Sequence, residues 1–248
     1  PTFDPNNTKS VSPSLMRNPS VQDVYEPGST GKIMTLAAAL EEKKITPETV
    51  LTVPYAIKRG GDTFHDHERH PVQRLTTSGI LAVSSNTGTI QIGEMLSNDT
   101  LHAYLSKFGI GISTGSGLPG ESKGLFRPVS DWSGTTAPTV AFGQGYSVTA
   151  MQATSVFATI ANDGVRVSPT VIAGTSDVSG KFTASSTRKS ERVVSAQTAQ
   201  QLRLMMESVV SGQGTAPSAA IPGYRVAGKT GTAMRYDSGR GCYSGYTA

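Results

Sequence analysis

The sequence predicts a globular domain of mixed type, helices packed with β-structure, and three observations carry that prediction. Apolar residues recur at helical spacing in at least two places, Ile33, Leu36, Ala37 and Leu40 being the clearest set. Elsewhere the pattern is strand-like, over residues 49–57 and in Tyr224-Arg225-Val226-Ala227, where side-chain character alternates. The 27 Gly and 14 Pro, with only 16% charged residues, describe a turn-rich folded chain rather than a disordered polyelectrolyte. At 248 residues the chain is long enough to bury a sizeable core, as one large domain or two small ones.

Taken in order, residues 1–28 are polar and rich in Pro, Asn and Ser, an extended leading segment. A strong helix is expected from Ser29 to about Lys43, leaving its apolar stripe at Glu41-Glu42-Lys43-Lys44. In residues 49–57 Pro54 cannot donate to a ladder and demotes the strand to an edge. Two or three short helices are expected between about 74 and 108, the last capped by Asn98-Asp99. Residues 109–140 are Gly-, Ser- and Pro-rich and read as a long functional loop. Ser147 is expected to cap a helix through Met151, Val156 and Ile160 that stops at Asn162-Asp163-Gly164. Residues 174–191 form a polar surface excursion, and Ser195 caps a helix through Leu202, Met205, Met206 and Val209. No internal repeat is visible.

Composition excludes several classes. The net charge of +4 is mildly basic, but no Lys/Arg run interleaved with aromatics occurs, so nucleic acid is not implied. One cysteine, Cys242, excludes an internal disulfide and any paired-cysteine metal site, and in its Gly-rich surroundings it reads as an incidental thiol. No apolar run reaches the roughly 18 residues of a membrane span. The abrupt start and stop read as cropping at both ends. His65-Asp66-His67-Glu68-Arg69-His70 is tempting as a zinc site, yet its spacing fits no structural zinc motif and it reads as a solvated, hydrogen-bonded, metal-free surface loop.

Three short motifs carry chemistry. Ser29-Thr30-Gly31-Lys32 is S-x-x-K, Ser84-Ser85-Asn86 is S-x-N, and Lys229-Thr230-Gly231 is K-T-G. S-x-x-K alone is uninformative, since about one match is expected by chance in a chain of this size. A second match, Ser186-Thr187-Arg188-Lys189, lies in a polar run with nothing to bury it. Ser29, by contrast, opens the best helix, where residue i and residue i+3 share a face and Lys32 can reach the hydroxyl. A serine needs a base, and an ordinary lysine is unprotonated only about 0.04% of the time at pH 7, so burial and a second cation, Lys229, are required to lower Lys32. The string Gly223 to Thr230 also matches the phosphate-binding G-x-x-x-x-G-K-[ST] pattern, but no apolar strand precedes it and no helical pattern follows.

Longer strings extend the trio. Tyr25-Glu26-Pro27-Gly28-Ser29-Thr30, Ser84-Ser85-Asn86-Thr87-Gly88, Gly117-Leu118-Pro119-Gly120-Glu121 and Phe142-Gly143-Gln144-Gly145 stand in this order. In these the chain resembles class B penicillin-binding proteins of the division type, with an actinobacterial look. The resemblance implies an α/β fold of the α+β kind, the penicillin-binding transpeptidase and serine β-lactamase architecture. Its antiparallel sheet is flanked by helices, and a mainly helical subdomain spans about 45–145 of a partial domain covering residues 1–248.

It also implies D,D-transpeptidation without cofactor or metal. Ser29 is the nucleophile attacking a D-Ala-D-Ala stem peptide of peptidoglycan, Lys32 the base, and Ser84 the proton carrier. Asn86 holds the substrate amide, and Lys229, Thr230, Gly231 and Thr232 hold its terminal carboxylate. The backbone N–H groups of Ser29 and Thr232 form the oxyanion hole, where one lost donor costs about 2.7–4 kcal/mol. Gly231 is expected to leave room for the substrate backbone beside a K-T-G strand edge. β-Lactams, and membrane proteins of cell-wall synthesis or the divisome, are the implied partners. The implied location is the extracytoplasmic face of the bacterial membrane, with the anchor outside this chain and the chain ending inside the strand after K-T-G. Two rival readings are a serine β-lactamase, for which Glu121 is the nearest candidate carboxylate, and a non-enzymatic β-lactam sensor.

Overall fold

The helix carrying Lys32 is buried on every side, the rest of the chain wrapping it. In the computed structural model residues 3, 4, 6–185, 189–237 and 242–247 are described. The leading segment is not wholly extended: a 3₁₀ turn at Pro13–Leu15 precedes a short helix, α1 (Pro19–Gln22), whose start is capped by the Asn18 side chain. A 3₁₀ turn at Gly28–Gly31 then runs into α2 (Lys32–Glu41), so Ser29 lies in a tighter turn ahead of the α-helix proper. Every residue from Lys32 to Leu40 is buried. The helix stops short of the expected Lys43 because that residue takes φ 54°, and the Lys44 N–H turns back to the Ala39 carbonyl at 2.9 Å.

Four short strands follow, β1 (Val50–Val53), β2 (Ala56–Arg59), β3 (Asp62–His65) and β4 (Gln73–Thr76). They nest: β2 pairs antiparallel with β3 inside the antiparallel pair β1 with β4, Val50 facing Thr76 and Ala56 facing His65. Pro54 breaks the expected single strand in two. Three helices follow as the periodicity predicts, α3 (Thr77–Ala82), α4 (Asn86–Gly93) and α5 (Asn98–Lys107). The cap of α5 is Ser97, not Asn98-Asp99, because Ser97 holds the extended backbone that lets its hydroxyl accept from Thr100 N–H.

The irregular stretch ends earlier than expected, at α6 (Thr136–Ala141). Its first part is pinned by the buried Gln152 amide, which donates to the carbonyls of Gly109, Ile112 and Lys123 at 3.2, 2.8 and 3.0 Å. The same Gln152 completes a reciprocal cap with Thr149 at the start of α7 (Ala150–Ala161). Thr149, then, and not Ser147, is the cap; Ser147 instead bridges to Leu125.

Residues 165–192 hold two antiparallel pairs. The strand β5 (Val165–Val167) joins β8 (Ser190–Arg192), and β6 (Gly174–Ser176) joins β7 (Phe182–Ala184), giving the polar excursion hairpin structure. Ser195 caps α8 (Ala196–Val210) as expected, and α8 packs on α2 and α3. Tyr224–Ala227 is not a strand: no partner lies beside it among the described residues, and alternation without a ladder fixes nothing. The strand after K-T-G is β9 (Ala233–Asp237), and a further strand, β10 (Cys242–Thr247), pairs back on it, where one strand was expected. The described residues thus combine eight α-helices with five two-stranded antiparallel ladders, helices and antiparallel β-structure as the fold class requires.

One carboxylate ties the central helix to α8. Glu41 at the end of α2 accepts from Ser195 N–H (3.0 Å), Ser195 Oγ (2.8 Å) and Thr198 Oγ1 (2.5 Å). Burial alone would raise its pKa, but the hydrogen bonds from Thr198 and Ser195 outweigh it and hold Glu41 below the usual glutamate value. A depressed carboxylate contributes stability above its unfolded pKa and loses it as pH falls through the folded value. Glu41→Gln should therefore cost about 1 kcal/mol at pH 7, a drop of roughly 2–4 °C in Tm. Thermal melting should show that gap closing as the pH falls below the ordinary glutamate value of 4.5.

Candidate active site

All three motifs open onto one cleft of about 800 Å³. Gly28, Ser29, Ser84, Asn86, Thr230 and Thr232 line it, with Asp66 to His70 and Gln73 on one wall and Gln213 to Thr215 on the other. The backbone leading into Ser29 is held by paired contacts. Tyr25 and Val148 exchange hydrogen bonds at 3.0 and 2.9 Å, and Gly28 N–H donates to the Gly143 carbonyl at 2.8 Å. Gly143 has φ 100°, and a Cβ there would lie 1.8 Å from the Gly28 carbonyl oxygen. Only glycine lets the Phe142-Gly143-Gln144-Gly145 string approach the Gly28–Gly31 turn so closely.

Lys32 is fully buried, and its Nζ donates to the Ser84 carbonyl at 2.5 Å and lies 3.2 Å from Ser84 Oγ. From the other side Lys229 Nζ donates to Ser84 Oγ at 2.7 Å and to the Thr230 carbonyl at 3.0 Å. Ser84 therefore sits between two lysines. The expected Ser29–Lys32 hydrogen bond is not formed. The Lys32 amine is turned to Ser84, and the Ser29 hydroxyl has no hydrogen-bond partner among the described residues. In a protein interior that carbonyl competes well for the N–H groups, since it is the nearest acceptor able to satisfy a buried amine.

Burial lowers the Lys32 pKa well below the usual lysine range, the Lys229 cation lowers it further, and the Asp66 carboxylate raises it somewhat. Burial also pushes Lys229 down, to about 8. Both amines are thus shifted down, and Lys229, at about 8, is still mostly charged at pH 7.

Ser84 holds φ 60°, a left-handed backbone. It follows the last turn of α3, where Ser84 N–H bonds the Leu81 carbonyl (3.2 Å) and Ser85 N–H bonds the Ile80 carbonyl (3.0 Å). Glycine is the usual residue for this helix-ending motif, and a non-glycine there stores about 1–2 kcal/mol of strain. In return the turn aims both the carbonyl and the hydroxyl of one residue at the lysines. Ser85 caps α4 through Gly88 N–H, and Asn86 Nδ2 donates to the His65 carbonyl at 3.0 Å.

In residues 225–232 the backbone is irregular, so Lys229-Thr230-Gly231-Thr232 is not itself a ladder strand as expected; β9 begins one residue later. Gly231 is small for a different reason too. A Cβ there would lie 2.6 Å from Thr30 Cγ2, so its missing side chain lets K-T-G pack on the Gly28–Gly31 turn. No helix follows Lys229, and its ammonium is spent on Ser84 and Thr230, which is not the geometry of a phosphate cradle.

The His65–His70 cluster is largely the solvated, hydrogen-bonded loop its composition suggested, with His65, His67, Glu68 and Arg69 exposed, but one member departs from it. Asp66 is only 6% exposed and accepts from the Asn86 and Thr87 N–H groups, Ser85 Oγ and His70 Nε2. Sequence reasoning missed Asp66, and also Thr215, whose hydroxyl lies 2.7 Å from that of Thr230. Of the second S-x-x-K match, Ser186, Thr187 and Arg188 lie outside the described residues, and Lys189 is exposed.

A serine held between two lysines, in a cleft that a second serine lines, matches a class, the serine acyl-transfer sites that lysine rather than histidine activates. Comparison with known proteins narrows it. A family model described as the penicillin binding protein transpeptidase domain matches residues 1–248. The chain belongs to this family, in its class B, division-type branch. It is 43% identical over 249 residues to penicillin-binding protein PbpB of Mycobacterium tuberculosis, covering 98% of this chain and 37% of that protein. It is 36% identical over 236 residues to the peptidoglycan D,D-transpeptidase FtsI of Escherichia coli K12, covering 95% of this chain and 38% of that one. A crystal structure of Mycobacterium tuberculosis penicillin-binding protein 3 complexed with aztreonam superimposes with TM-score 0.89 at 45% identity, over 92% of this chain and 52% of that one. The chain thus spans about two fifths of the length of these curated relatives.

The strained turn gives a test that separates stability from chemistry. Ser84→Gly relieves the left-handed strain and should leave Tm unchanged or raise it by a few degrees. Penicillin acylation, followed by intact mass, should nevertheless fall at least about a hundredfold, because the hydroxyl between the lysines is gone.

Proposed function

We propose that this domain cross-links peptidoglycan by acyl transfer through Ser29 and is acylated there by β-lactams. The observation that carries the reading is the Ser84 hydroxyl held between Lys32 and Lys229 in the cleft that Ser29 lines. Lys32, favoured as a free amine by burial, takes the Ser29 proton as Oγ attacks the penultimate D-Ala carbonyl of a stem peptide. The Ser29 and Thr232 N–H groups receive the developing oxyanion. The proton passes through Ser84 to the departing D-Ala amine. Next an amine from a neighbouring strand attacks the ester and gives up its own proton along the same route. Lys229, Thr230 and Thr232 match the substrate's terminal carboxylate, a cation beside hydroxyls, and Asn86 orients its amide. The helices between about 45 and 145 form one wall of this cleft as a subdomain.

A β-lactamase would need a carboxylate to activate water. Glu121 does not line the cleft, and Ser113, Thr114 and Ser116 occupy its oxygens. Among the described residues no helix is long and apolar enough to cross a membrane. The substrate places the domain on the extracytoplasmic face of a bacterial cell, working with membrane proteins of wall synthesis.

Incubation with a penicillin should add one stable adduct by intact mass, absent in Ser29→Ala, whereas an adduct lost within seconds would favour a lactamase. The second-order acylation rate should follow a bell-shaped pH profile. It should fall on the alkaline side near pH 8, as Lys229 loses the charge that matches the carboxylate. The acid limb should lie well below the usual lysine range, as Lys32 takes up its proton.

A further inference from the structure

We infer that Asp66 is a positioning residue for this site, holding the Ser84–Asn86 turn in its left-handed form and setting the charge that Lys32 meets. The inference rests on the acyl-transfer reading above.

A buried carboxylate is costly unless every lone pair finds a donor. Asp66 finds five. Its Oδ1 accepts from Asn86 N–H (2.5 Å) and Thr87 N–H (2.9 Å), the first two amides of α4. Oδ2 accepts from Ser85 Oγ (2.7 Å) and His70 Nε2 (3.0 Å), with Thr87 Oγ1 at 3.4 Å. The carboxylate also complements the positive end of the α4 dipole. Asp66 is in turn fixed to the nested ladders, its own N–H donating to the Tyr55 carbonyl at 3.0 Å.

These contacts seize the two residues that follow Ser84. A left-handed serine persists only where its surroundings over-determine it. The α3 carbonyls hold Ser84 from behind, and Asp66 holds Ser85 and Asn86 from ahead. Loosening the forward grip frees the turn to relax, and the Ser84 hydroxyl then leaves the line between the lysines. The charge acts separately. The charged groups facing Lys32 are Lys229, from the K-T-G segment, and Asp66, from the end of β3, and the Asp66 charge opposes the fall in the Lys32 pKa.

Two variants divide these roles, read on the intact chain by the pH dependence of penicillin acylation. Asp66→Asn keeps the size and one acceptor oxygen but removes the charge, so the acid limb should move to lower pH by at least about half a unit. Asp66→Glu keeps the charge but carries it one methylene too far. It should leave the limb in place and lower the acylation rate at least about tenfold across the profile. A residue with a purely structural role would change Tm and leave the limb unmoved in both. Should Asp66→Asn melt below the assay temperature, Asp66→Glu alone decides the positioning role. A parent chain that acylates, with an Asp66→Glu chain matching its rate or a folded Asp66→Asn chain matching its limb, overturns the inference and leaves the function intact. A parent chain that never acylates at Ser29 overturns the functional reading and this inference with it.

Discussion

The rest of the site depends on one constraint, a lysine amine buried where water cannot reach it. Lys32 opens a helix whose next eight residues are also buried, so its Nζ must find partners inside the protein. It finds them on Ser84, 52 positions away in the chain. That contact sets the distance between α2 and the α3–α4 turn. The second cation, Lys229, approaches the same hydroxyl from the far side, and two like charges so placed cannot both be comfortable at neutral pH. Burial lowers both amines, and the Lys229 cation lowers Lys32 as well.

Around this contact the structure accepts local costs to gain aim. Three non-glycine residues, Lys43, Ser84 and Asp163, end helices in the left-handed region. The strain at Ser84 alone faces the cleft, where it delivers a carbonyl and a hydroxyl from a single residue. Gly143 and Gly231 work by omission, letting two remote segments close on the Gly28–Gly31 turn. Asp66 supplies the opposite device, a buried charge saturated with donors that keeps the strained turn from relaxing.

Ser29 is held differently from the groups around it. The backbone leading into it is held by paired contacts, while its hydroxyl is left without a hydrogen bond among the described residues. On the acyl-transfer proposal, a Ser29 hydroxyl tightly bonded to Lys32 would have to break that bond to reach a substrate carbonyl. Apo geometry in such sites is commonly looser than the reacting geometry, so the Lys32 contact with Ser84 and a later contact with Ser29 are compatible.

By itself the sequence determined the helices and the chemistry-bearing motifs. The stripe from Ile33 to Leu40 and the Ser195-capped helix are legible because periodicity and capping are local properties, carried by residues three or four apart. The order of Ser29, Ser84 and Lys229 was equally legible, since the residue types name the chemistry. Local signals misled where a decision needed a distant partner. Tyr224–Ala227 alternates yet finds no strand to pair with, Ser147 could cap a helix but is drawn to Leu125, and the His65–His70 run looks solvated yet buries Asp66. Only tertiary structure decided that Ser84 would lie between two lysines and that an aspartate would brace it. The reason is that burial and charge pairing are set by what the rest of the chain brings alongside, over separations of 19 to 145 residues.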